Sequence, residues 1–113
     1  HGDFTVASGA AAMRDLLDRA PNIDAVFAAS DLMAAGAIST LQSRGRRIPI
    51  DVAVVGFDNS SAATDGKIGI TTVVQPSRQL GAEMARTMLA LLRGEPVERA
   101  RLLPTRMVIR ESA

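Results

Sequence analysis

The strongest constraint on how this chain can fold is the way two hydrophobic periods take turns along it. Residues 25–29 (AVFAA) and 52–57 (VAVVGF) are short continuous apolar runs, the pattern of strands covered on both faces of a sheet. Ahead of the first run, Met13, Leu16, Leu17 and Ala20 recur at i, i+3, i+4 and i+7. That spacing predicts a helix from about residue 9 to 19 with one buried face, stopped by Pro21. Ser30 and Asp31 offer N-caps to a second helix, and Gly45 offers its left-handed exit at little cost. A polar loop of small residues, 58–66, then leads to a third strand at 71–74. Strands interleaved with helices argue for a mostly parallel sheet in a three-layer α/β/α arrangement.

After Gln75 and Pro76 comes the longest helical segment, residues 77–93, with Ser77 as its expected cap and Leu80, Met84, Met88 and Leu91 on one stripe. Gly94 and Pro96 end it. A charged loop follows, and the apolar stretch 107–109 predicts a last short strand before the polar end. With 113 residues, 47% of them hydrophobic, the chain can build one modest core, as one domain or part of one. No internal repeat, low-complexity tract or flexible linker interrupts it.

Composition removes most kinds of chemistry. Thirteen Lys and Arg against twelve Asp and Glu leave a net charge of +1 without a basic block, so no electrostatic footprint for nucleic acid is present. Arg44, Arg46 and Arg47 are read as a solvated helix end. The absence of cysteine excludes disulfides, thiolate metal sites and a cysteine nucleophile, and fits a reducing cytoplasm. No apolar run approaches the roughly 20 residues that cross a bilayer, and the first 15 residues lack the layout of a signal peptide. The single histidine, His1, cannot build a triad or a metal cluster and receives no role. Neither a P-loop nor a dinucleotide glycine pattern occurs. No cofactor, metal or catalytic residue is expected, and the chain is read as a binding module and not an enzyme.

A placement argument supplies the candidate site. Ligands of open parallel sheets bind beyond the carboxyl ends of the strands. Three segments reach that edge with polar residues: Ser30 and Asp31 after the first strand, Asp58 and Asn59 after the second, and Gln75 after the third. Carboxylates and amides can accept from and donate to paired hydroxyls, and the aromatic ring of Phe4 can pack on C–H faces, which is sugar-site chemistry. Each residue also has a plainer role. Phe4 could be core, Asp31 a helix cap, Gln75 a tie between crossing chains, and Asp58 a solvated or turn-capping acid.

These segments, in this order, resemble the lactose/galactose repressor family of bacterial regulators. The landmarks are Gly2-Asp3-Phe4-Thr5 with Ser8-Gly9, the stretch from Ala25 to Ala37, and Ile48-Pro49 followed by Asp51 to Asp58. Thr71 to Pro76 with Leu80-Gly81, and Leu103-Pro104-Thr105 with Val108 and Arg110, complete the set. The resemblance implies the C-terminal part of an effector-binding domain of periplasmic-binding-protein-like fold, with a sugar-like or polyol effector between two lobes. It further implies a cytoplasmic homodimer and operator DNA contacted only through an N-terminal head that has no counterpart here. Residues 1–76 and 103–113 would form the C-terminal lobe, and 77–102 would belong to the other lobe. By position, Phe4 resembles the aromatic wall of the cleft, Ser30 and Asp31 a polar pair, Asp58 the hydroxyl-binding acid and Gln75 a contact at the crossing. Ser30 departs from the asparagine often found in sugar-responsive members. A periplasmic or transporter-linked sugar-binding protein shares the fold and is the main alternative, and a carboxylate enzyme on such a sheet is the distant one.

Overall fold

The computed structural model describes residues 2–113; His1 lies outside the described residues. The chain forms α1 (Val6–Arg19), β1 (Ala25–Phe27), α2 (Asp31–Ser43), β2 (Ala53–Asp58), a 3-10 turn at Ser61–Ala63, β3 (Thr71–Val74), α3 (Ser77–Leu92) and β4 (Arg106–Val108). α1 starts three residues before the expected point because Thr5 caps it, its hydroxyl accepting from Ser8 N at 3.1 Å. Ser30 caps α2, accepting from Met33 N at 3.3 Å. Gly45 and Gly94 follow the ends of α2 and α3 with φ of 74° and 70°, the left-handed exits for which glycine is suited. Ser77 is not the cap of α3: Pro76 holds that position and no side chain closes the turn.

The strands lie in the order β1-β2-β3-β4. The first three are parallel, with Val26 beside Val54 and Phe57 beside Val73, and β4 returns antiparallel to β3. β1 and β2 are joined through α2, whereas the link from β2 to β3 carries only the 3-10 turn. A dozen residues suffice for a parallel crossover, so the polar loop can do a helix's work here.

The core lies between one face of the sheet and two helices, with α1 packed beside α2. Met13, Leu17, Ala34, Ala37, Ile38, Leu41, Val52, Val54, Ala63 and Ile70 are buried in it. The two helices approach closely because of glycine at the crossing. A Cβ on Gly36 would stand 2.0 Å from Val6 O and 2.7 Å from Ala10 N, and one on Gly9 would stand 2.2 Å from Met33 O. These obstacles are backbone atoms, which cannot swing aside. Gly36→Ala is therefore expected to destabilise the fold by about 1–3 kcal/mol through overpacking, seen as a lower denaturation midpoint in the intact protein. An unchanged midpoint would refute this account of the helix crossing.

The opposite face of the sheet is left open by the described helices. Phe27, in the middle of the run expected to be covered on both sides, is 64% exposed. Its ring stands edge-on to Phe57, centroids 6.3 Å apart at 76°. None of the three helices covers this face. α3 has no buried residue and projects from the sheet, giving principal extents of 58 × 25 × 20 Å and a radius of gyration of 17.5 Å. A compact domain of this length would have about 13 Å.

Candidate functional site

Because β1, β2 and β3 run parallel, their carboxyl ends share one edge, and the chain leaves that edge at Ala28–Asp31, Asp58–Ser60 and Gln75. Ser30 and Asp31 turn inward there. Ser30 is buried as the α2 cap, and Asp31 is fully buried. Its Oδ1 accepts from the Thr72 hydroxyl at 2.6 Å, and its Oδ2 accepts from Ser60 N at 2.6 Å and the Ser60 hydroxyl at 3.1 Å. Room for this carboxyl comes from Gly56, where a Cβ would lie 2.5 Å from Asp31 Oδ1. Asp31 thus ties the start of α2 to the loop after β2 and to β3 from beneath. Asp58 and Gln75 turn outward and meet each other, Gln75 Nε2 donating to Asp58 Oδ1.

Phe4 lies just before α1, whose first turns cross α2 near Met33 and Gly36 at the same end of the molecule. It is 60% exposed, so it is not core. Asp3 Oδ1 accepts from Thr5 N at 3.2 Å and from the Thr5 hydroxyl at 2.6 Å, and Asp3 N donates to Ser8 Oγ at 3.2 Å. Bonds from the Thr5 side chain, then from Ser8, hold the Asp3 carboxyl down at about 2. This cluster clamps the backbone on both sides of Phe4.

Backbone strain singles out the same positions. Among the described residues, the non-glycine residues with positive φ are Phe4 at 63°, Asp58 at 103° and Asn59 at 54°. Such conformations cost on the order of 1–3 kcal/mol each and persist only where the surroundings impose them; ligand clamps are where they cluster. Two of the three are residues to which the sequence assigned a ligand role, and the third adjoins Asp58. An exposed ring, a carboxyl and an amide on rigid backbone can together pack against and hydrogen-bond a small polyhydroxylated molecule.

Sequence reasoning passed over Thr72, Ser60 and Arg110 as parts of this edge. Arg110 Nη2 donates to Asn59 Oδ1 at 2.7 Å and its Nη1 to Ile70 O at 2.8 Å. One signal was available for Thr72: a threonine pair within a buried strand needs polar partners. Nothing local marks Arg110, which lies 51 positions from Asn59.

Away from this edge, α2 and the loop after β2 border an open groove of about 420 Å³, lined by Leu32, Ala35, Ser39, Ala62, Lys67 and Ile68 among others. Among the described residues no group of histidine, cysteine and acidic side chains could hold a metal ion, and no helix is long and apolar enough to cross a membrane.

Fold and edge together define an α/β module with a polar edge where its parallel strands end. The chain belongs to the periplasmic binding protein-like domain family, which it matches over residues 1–113, and its relatives are regulators of the lactose/galactose repressor type. It is 53% identical to the HTH-type transcriptional regulator CelR of Thermobifida fusca over 99% of this chain and 33% of that protein. It therefore spans about a third of the length of that curated relative. A solved complex of CelR with cellobiose superposes with a TM-score of 0.91 at 53% identity, covering 99% of this chain and 35% of that one. The lac repressor dimer bound to operator and an anti-inducer superposes with a TM-score of 0.90 at 31% identity, covering 98% and 39%.

Proposed function

We propose that this chain is the effector-sensing and dimerisation part of a bacterial transcriptional repressor that binds a small sugar-like molecule and controls operator binding allosterically. The observation that carries this reading is the coincidence of left-handed backbone with the ring of Phe4 and the carboxyl of Asp58 at the carboxyl edge of the sheet. In this reading Asp58 accepts from sugar hydroxyls, Gln75 orients that carboxyl and contacts the ligand at the crossing, and Phe4 packs on its C–H face. Ser30 and Asp31 frame the site from the first strand. No step of bond making is assigned to any of them, and the chain is not an enzyme. The 53% identity to a regulator solved with cellobiose supports a glucose-based disaccharide as the first effector to try. Named relatives that regulate transcription disfavour the transporter-linked alternative.

The remaining parts follow the same reading. Residues 77–102 belong to a second lobe, which is supported by the lack of any buried residue in α3. A second copy packs along the outer face of α2, where the open groove offers Leu32 and Ala35. The protein acts in the cytoplasm, and operator DNA is contacted by a separate N-terminal head. Effector binding then biases the two-lobe arrangement through its differential affinity for the two states.

The test is calorimetry of the intact protein with cellobiose and related mono- and disaccharides, paired with gel shifts on the operator upstream of its own gene cluster. Sugar binding that changes operator affinity is expected, while residues 1–113 alone should give no sequence-specific shift, having no recognition helix or basic patch. Failure of every sugar to bind, or a specific shift by the lone chain, would overturn the reading.

A further inference from the structure

We propose that Arg110, far from the site in sequence, is a positioning residue for the effector site: it holds the left-handed Asp58-Asn59 turn in place from the C-terminal segment beyond β4. The inference rests on the reading of Asp58 as a ligand contact. Two consecutive residues at φ 103° and 54° would relax to ordinary extended or helical backbone unless something outside the turn opposed it, and relaxation would swing the Asp58 carboxyl off the edge. Three ties oppose it. Asn59 N donates to Thr72 Oγ1 at 3.3 Å, Ser60 N donates to the buried Asp31 carboxyl, and Asn59 Oδ1 accepts from Arg110 at 2.7 Å.

The Arg110 tie brings a cationic donor to the Asn59 side chain, and Arg110 is itself anchored. Its second nitrogen donates to Ile70 O at 2.8 Å, and its backbone N donates to Thr71 Oγ1 at 2.9 Å. A planar guanidinium presents two nitrogens in a fixed fork, one to each acceptor, whereas an ammonium must reach both from a single nitrogen. The side chains of Thr72 and Asp31 hold the turn's backbone amides from β3 and the start of α2, whereas Arg110 reaches it from the segment beyond β4 that follows the α3 excursion. The turn that carries Asp58 is therefore sensitive to where the returning chain is set.

The experiment uses the intact protein, with cellobiose as probe and hydrogen exchange as a ligand-free readout. Arg110→Met and Asn59→Ala should each weaken cellobiose binding by about tenfold, the scale of one lost charge-assisted hydrogen bond. The double variant should lose no more than either single one, because both remove the same tie. Arg110→Lys should fall between Arg110→Met and wild type. Without ligand, the amides of Asn59 and Ser60 should exchange about tenfold faster in Arg110→Met, a change that a mere latch for the chain end would not produce. Additive losses, or unchanged exchange at Asn59 and Ser60, would overturn the proposal, and the exchange result decides it even if cellobiose is not the effector. If Arg110→Met does not fold, Arg110→Gln and Arg110→Lys carry the same readouts. Asp58→Ala serves as the separating control: lost affinity there with none in Arg110→Met rejects the positioning role alone, and no loss in either rejects the site.

Discussion

Replacing Asp58 by alanine in the intact protein is expected to weaken cellobiose binding by about 10- to 150-fold while leaving the dimer folded. The size follows from a hydrogen-bonded carboxylate contact to hydroxyls, about 1.5–3 kcal/mol, with each 1.4 kcal/mol a factor of ten. The selectivity for binding over stability follows from the surroundings. Asp58 ends β2 with its carboxyl at the surface, and its one protein partner is the exposed amide of Gln75. Removing it leaves no buried donor unsatisfied, since water can take the amide. Calorimetry is the measurement, with a denaturation curve as control for the fold. Unchanged affinity would remove Asp58 from the site.

The isolated 113-residue chain is expected to associate with itself through α3. Leu80, Met84, Met88 and Leu91 lie on one stripe and are 41%, 64%, 59% and 55% exposed, and with Leu103 they border an apolar groove of about 320 Å³. Full burial of each such side chain is worth roughly 1.5–3 kcal/mol, and since each is about half exposed, roughly half of that remains to be gained. Summed over four residues, the gain is several kcal/mol, enough to draw copies together at high concentration. Glu83, which bonds to Arg86 at 2.7 Å and Arg101 at 2.6 Å, holds the return of the chain against the helix but does not cover the stripe. Sedimentation equilibrium should show oligomers that Met84→Glu with Met88→Glu abolishes. A clean monomer at high concentration, with α3 protected in hydrogen exchange, would show that the stripe packs within one chain and would sink the assignment of 77–102 to another lobe.

The sequence alone determined the order of the elements, the parallel character of the first three strands and the polar residues that gather at their carboxyl edge. Those features are written in local periods: apolar runs, i/i+3/i+4 spacing, and Gly45 and Gly94 past the helix ends. What only the tertiary structure decided is which polar groups face out. Ser30 and Asp31 read on paper like Asp58, yet Asp31 is enclosed by Ser60 and Thr72, which lie 29 and 41 positions away. The covering of the sheet was likewise not local. The run 25–29 through Phe27 looks doubly buried, but a second layer must come from some other segment, and α3 points elsewhere. Strain at Phe4, Asp58 and Asn59 is invisible in the residue types, because the backbone is forced there by partners such as Arg110 that only folding brings near. Periodicity acts over one or two turns of chain, whereas the partner of a hydrogen bond is chosen across the whole fold.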